Sequence, residues 1–419
     1  DITFEIESKE KGEYTVRVGE VIGTLIVEEA KPLKIGVVTP ITGPAASYGA
    51  LVKKGAKLAA EEINAEGGVP GVGPIELSFY DTGTSPSTGK NASRKALYQD
   101  KISVGSGVIS SSVGLAIRPL FEEVEVPLFT ATSTTHKLTT KDTRFIFRGW
   151  PSTVRTGLFI VPFMKEELGI DNLALVLPDY AFGHSMGKIL STKAEEVGID
   201  IIFKRFVPIG ETEYVTVINE MKPLNPDAVF YPVGATGSTG LVPFWEQSRM
   251  QNFKPEYFLH YGGAPEYPHM NKLLKEPTLD FITTQVKTVV KVGMDPTDLK
   301  TIEFGEKYVE RYGEIPALYS ATVYDTINIA ANAAAAAEST DSVKIRDTIR
   351  DMEYEGTAGP IVWGPFTEFG ANKNARIRLG FIAKGGPPWA EQTKYHVKIK
   401  WEEPLPSPMT MEEAEKIMG

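Results

Sequence analysis

The chain has 419 residues, and its 54 acidic against 44 basic side chains leave a formal charge of −10. That balance excludes nucleic acid as the natural partner, since such partners demand clustered Lys and Arg. A hydrophobic share of 42% with 23% charged residues fits a globular chain of about two or three domains, and the lack of cysteine excludes thiol catalysis, disulfides and cysteine-held zinc.

Residues 1–30 read as a β extension. Thr3–Ile6, Tyr14–Val18 and Thr24–Val27 alternate apolar and polar side chains, which predicts two or three antiparallel strands, too few to bury a core alone. From Lys34 the pattern changes. Ile35, Val37 and Val38 form the short apolar run of a strand covered on both faces, and Gly43, Pro44 and Gly49 turn the chain at its carboxyl end. Leu51, Gly55, Leu58, Ala59 and Ile63 then recur at helical spacing. Further strands are expected at Ile75–Tyr80, Ile102–Gly107, Val126–Thr130, Arg144–Arg148, Leu173–Leu177, Ile201–Val207, Ala228–Val233, Tyr257–His260 and Phe281–Val286. Between them lie helical stretches at Ser87–Gln99, Val113–Val124, Thr153–Leu168, Ser185–Val197 and Tyr214–Met221. Two more helices, Leu299–Tyr312 and Ala321–Ala337, precede short strands around Ile361–Trp363 and Arg378–Ala383. This alternation predicts an α/β fold with parallel sheets, and the number of strands requires two doubly wound lobes, with a break near Gly149-Trp150-Pro151.

Two strand ends carry chemistry. Gly105-Ser106-Gly107-Val108-Ile109-Ser110-Ser111-Ser112 closes one strand and opens the next helix, so hydroxyls meet the free N–H groups of a helix start. Capping that helix needs one hydroxyl; three in a row suit a carboxylate. Thr130-Ala131-Thr132-Ser133-Thr134-Thr135 repeats the theme at the next strand end, with a solvated Thr/Ser loop as the alternative. Gly83–Lys90 imitates a phosphate-binding loop, but it has five residues between its glycines, a proline inside, and Asn91 where Ser or Thr is needed. The five histidines are scattered without a metal-binding spacing, and neither metal nor cofactor is expected.

Gly43-Pro44-Ala45-Ala46-Ser47-Tyr48-Gly49 and Ile63-Asn64-Ala65-Glu66-Gly67-Gly68 stand in register with two motifs of the type I periplasmic binding proteins of the leucine/isoleucine/valine-binding group, and the chain resembles that family over about residues 34–385. The resemblance implies two lobes joined by a three-strand hinge, crossed near 150, 285 and 362. Lobe I would be 31–150 plus 288–361 and lobe II 151–287 plus 362–402, with a tail at 403–419. It places a ligand carboxylate at Ser110, Ser111, Thr132 and Thr134. It also brings Tyr48, Phe182 and Tyr319 to the cleft as aromatic walls, and Asp325 falls at a position read as structural. Trp150, at the expected hinge, either shields the ligand or packs there. Lobe II would close with residues around Gly234 and Gly262–Glu266. Here the chain departs from the family: Gly262-Gly263 replaces the acid that pairs with an amino acid's ammonium, and Glu266 is the nearest substitute.

The implied function is non-enzymatic capture of an amino acid or related carboxylate by a monomer, outside the cytoplasm, for an ABC importer. A removed N-terminal segment would have tethered it to the membrane. Residues 12–27 also resemble the last strands of immunoglobulin-like modules, so the extension is either a remnant of an upstream domain or a hairpin docked on the main fold. The rivals are a ligand-sensing ectodomain of the same fold and a nucleotide-dependent enzyme using Gly83–Lys90.

Overall fold

Near-continuous burial along the central strands builds two sheets, each covered on both faces. In the computed structural model the described residues are 12–18, 21–27, 31–140, 142–232, 237–261, 270, 272–295, 297–363, 377–385 and 394–402. Strands β1 (Gly12–Val18) and β2 (Val21–Val27) form an antiparallel hairpin that joins neither main sheet. The strand expected at Thr3–Ile6 and the tail helix beyond residue 402 lie outside the described residues.

The first sheet takes β3 (Leu33–Thr39), β4 (Ile75–Asp81), β5 (Val104–Val108), β6 (Leu128–Thr130) and β7 (Ile146–Arg148), in the order β4-β3-β5-β6-β7. All its pairings are parallel. Helices α1 (Ala46–Ala65), α2 (Pro86–Arg94) and α3 (Ser111–Val124) make the crossovers. Ile35 and Val37 face Leu51, Val52 and Ala56 of α1, while Val38 faces Val113, Ile117 and Phe121 of α3.

The second sheet repeats this winding. Helix α4 (Thr153–Glu166) leads to β8 (Asn172–Pro178), α5 (Ala181–Val197), β9 (Asp200–Val207), α6 (Val215–Met221), β10 (Ala228–Phe230) and α7 (Gly237–Met250). After β11 (Tyr257–His260) come the short α8 (Glu276–Asp280) and β12 (Lys287–Val292). Leu173, Leu175 and Leu177 of β8 point to α4 and α5, and Ala174 and Val176 point to α6 and α7. The chain then returns to the first lobe with α9 (Leu299–Tyr312), α10 (Leu318–Ala336), α11 (Ser342–Asp351) and the hairpin β13 (Glu353–Gly356) and β14 (Gly359–Val362). Strands β15 (Arg378–Lys384) and β16 (Tyr395–Glu402) extend the second sheet antiparallel beside β12.

One expected strand is wrong. Phe281–Gln285 is a turn of π-helix, and the strand that pairs with β11 is Lys287–Val292. The second crossing therefore follows residue 292, not 285. A short apolar run such as Phe281-Ile282 reads alike in a buried helix and a strand, whereas the β-branched Thr288, Val289 and Val290 mark the true one. Helix α5 also begins four residues before the expected Ser185.

The first crossing leaves from Arg148. At the start of the third, Trp363 packs against Phe129 and Phe147, with ring centroids 5.5 and 5.4 Å away. Its indole N–H donates to the Arg148 carbonyl at 3.3 Å.

Candidate functional site

The carboxyl ends of β5 and β6 meet the start of α3, the place where open parallel sheets leave room for ligands. Ser110 is the N-cap residue of α3, with extended backbone, yet its side chain makes no capping bond. The residue is 3% exposed. Ser111 does different work: its Oγ accepts the amides of Thr134 at 3.3 Å and Thr135 at 3.4 Å, tying the helix start to the loop after β6. Ser133 donates to the Val108 carbonyl at 3.2 Å, which locks the same loop to β5. Thr132 is half-buried and Thr134 buried. The structure thus ties Ser111 to Thr134, with Ser110 next in the chain at the head of α3.

The second lobe meets them through Tyr261, just beyond β11. Its hydroxyl takes a hydrogen bond from Thr156 at 3.0 Å and also interacts with the side chains of Trp150 and Thr134. Burial pushes this phenol up to about 12, against the opposing effect of its hydrogen bonds and of Arg148. Trp150 is buried in this knot. The amide of Thr153, which opens α4, donates to the Thr134 carbonyl at 2.8 Å. Ser112 accepts the Ala181 amide at 3.4 Å, so a serine of the first lobe serves the start of α5 in the second. His136 Nδ1 lies 3.2 Å from Ser185 Oγ, which is 2.5 Å from Thr153 Oγ1. Burial pulls the His136 imidazole down to about 4, and the charges of Lys137, Arg148 and Lys188 add to the effect.

Two of the aromatic residues, Tyr48 and Phe182, follow a shared local rule. Tyr48 stands in the first turn of α1, not in the preceding loop, and is 1% exposed rather than open to the cleft. Its ring centroid lies 4.6 Å from that of Tyr319. In the second lobe Phe182 lies 5.8 Å from both Tyr180 and Tyr261. Tyr180 packs against the hydrophobic clusters of both lobes. Tyr48 and Phe182 each precede a glycine that the fold requires: a Cβ on Gly49 would lie 1.7 Å from the Pro40 carbonyl oxygen, and one on Gly183 1.8 Å from that of Pro178. Glycine lets each helix begin directly under its strand end, which places the aromatic at the edge of the sheet.

Arg148 and Tyr261 were missed in the sequence, although both stand at strand ends. Arg148 Nη1 donates to the Thr135 carbonyl at 3.1 Å, while its buried Nε has no partner. Burial is the main force bringing this guanidinium down to about 10; Tyr261 opposes it and Arg155 adds to it. Asp325 takes hydrogen bonds from the Thr357 amide and hydroxyl in the interior, and burial pushes it up to about 7 despite them, as suits a brace between α10 and the β13–β14 turn. Gly234, Gly262 and Glu266 lie outside the described residues.

In the rival phosphate loop three of the amides are already committed. The Gly83 amide donates to Asp81, that of Ser85 to the Thr82 carbonyl, and that of Gly89 to the Ser85 carbonyl. Burial alone would raise Asp81; hydrogen bonds from the Thr42 hydroxyl and the amides of Gly83, Thr42 and Ile41 outweigh it and hold the carboxyl at about 2. Among the described residues no group of three or more His, Asp or Glu could hold a metal ion.

Comparison with known proteins agrees with this architecture. The profile described as "Periplasmic binding protein" matches residues 32–378. A Leu/Ile/Val-binding protein homolog 7 from Brucella abortus is 24% identical over 363 residues, 83% of this chain and 88% of its own. Among solved structures, a leucine-binding protein from Thermotoga maritima superposes with a TM-score of 0.72 at 23% identity, covering 88% of this chain and 98% of its own. An ABC-transporter solute-binding protein from Rhodopseudomonas palustris, solved with 3,4-dihydroxybenzoic acid, gives 0.76 at 20% identity over 90% and 98%.

Proposed function

The chain belongs to the periplasmic binding protein family, and from that premise we propose that it captures a small carboxylate-bearing solute between its lobes, outside the cytoplasm, and delivers it to an ABC importer. Recognition is the whole of its work; no bond is made or broken. The observation that carries this reading is Ser110, whose hydroxyl at the head of α3 is left unspent by helix capping beside the Thr134 loop. Hydroxyls and amides there offer a carboxylate charge-assisted hydrogen bonds. Tyr319, backed by Tyr48, and Phe182 would wall the solute, and closure of Tyr180, Tyr261 and the Ser112–Ala181 contact over it would follow from tighter binding to the closed state. The Thermotoga and Rhodopseudomonas neighbours hold a leucine site and an aromatic acid on this fold, and both kinds of solute present a carboxylate.

Calorimetric titration with amino acids and small organic acids tests it. Ser110→Ala should weaken binding severalfold and, with Thr134→Ala added, by roughly tenfold or more. Ser110→Ala alone should move the melting point of the empty protein by less than about 1 °C, since that hydroxyl makes no capping bond. Undiminished affinity in the double variant, or stabilisation by Mg-ATP alone, would remove this function.

A further inference from the structure

Arg148 ends β7 where the chain first leaves the first lobe, and it is 5% exposed. One nitrogen serves the Thr135 carbonyl and the buried Nε serves nothing. Among the described residues no carboxylate forms an ion pair with it. A guanidinium taken out of water without an opposite charge is strongly disfavoured, and it is tolerated where a partner arrives from outside. Its surroundings tell which partner. It lies against the loop whose Thr134 belongs to the proposed carboxylate site, and it interacts with the Tyr261 hydroxyl. Helices α3, α4 and α5 all begin around this point, through Ser111, Thr153 and Ala181, and their N-terminal ends add positive potential. The environment suits one excess negative charge and repels an ammonium. In the sequence Gly262 stands where a carboxylate would have answered that ammonium, and the nearest acid is Glu266, four residues on.

Resting on the carboxylate reading above, we propose that the solute is a net anion, an organic acid without an α-ammonium group, and that Arg148 is the counter-charge that selects it over zwitterionic amino acids. The solute's carboxylate completes the guanidinium's hydrogen bonds on closing. A zwitterion of the same shape brings the carboxylate but also buries a second positive charge beside Arg148.

Matched pairs decide the matter: leucine against 4-methylpentanoate, and phenylalanine against 3-phenylpropanoate, with benzoate as a further acid, each titrated calorimetrically at pH 7. In the wild-type protein at least one acid should bind tenfold or more tighter than its amino acid. Arg148→Gln should cut acid affinity at least tenfold and leave that for the amino acid unchanged or improved, and Arg148→Lys should restore part of the difference. An amino acid that binds tighter than its deaminated partner overturns the proposal and leaves the carboxylate reading standing. So does an equal loss for both classes in Arg148→Gln, which would make Arg148 a brace for the Thr134 loop. If neither class binds, the carboxylate reading itself fails and this proposal falls with it. Should Arg148→Gln not fold, the wild-type pairs still decide between acid and amino acid.

Discussion

At the scale of single residues, hydroxyls divide their labour. Ser111, Ser112 and Ser133 are committed to amides or carbonyls, and only then can Ser110 be spared. Tyr261 is the counterpart across the cleft, because Thr156, Trp150 and Thr134 all converge on its oxygen. Tyr261→Phe should leave those donors buried without an acceptor and lower unfolding free energy by about 1–3 kcal/mol. Solute affinity should drop as well, since Thr134 loses its support; a denaturant melt with a matched titration checks both. The Ser110–Thr134 cluster was legible because three consecutive hydroxyls exceed the needs of a cap. Arg148 and Tyr261 were not, because nothing in one chain's order says which strand tips converge. An arginine ending a strand reads as a solvated charge until the fold buries it.

Elements were easier to read than contacts. The unbroken apolar run of β8 and the helical spacing in α1 give their own burial away, and both sheets wind as the alternation of strand and helix requires. The error at Phe281–Gln285 arose where a five-residue segment carries no period long enough to measure. The aromatic-glycine pairs make a stronger element-level statement. Gly183→Ala would drive a methyl into the Pro178 carbonyl, so α5 must shift to relieve it. That shift should cost about 1–3 kcal/mol of stability and carry Phe182 and the Ala181 amide away from their partners. The midpoint of denaturation should fall and solute affinity with it; a variant with native midpoint and native affinity would refute the packing argument.

For the molecule as a whole, two lobes could be foreseen from the strand count, whereas the contacts that join them could not. His136 and Ser185 are 49 positions apart in the chain, and no local pattern connects them. Their contact makes closure sensitive to acid. With the imidazole held near 4 while the lobes are in contact, against an ordinary 6.5, that contact keeps its full advantage above about 6.5 and loses it as pH falls towards 4. Solute affinity should therefore decline between pH 7.5 and 5, approaching tenfold per unit at the steepest, and His136→Gln should flatten the curve. A wild-type profile that stays level over this range would show that the imidazole plays no part in closure. The way the lobes part is set elsewhere, by the indole of Trp363 wedged between Phe129 and Phe147 and bonded to the Arg148 carbonyl. Two of the three straps between the halves are thus riveted at one pin. A change in the backbone at Arg148 is therefore felt at Trp363, and the two segments are coupled where they leave the first sheet.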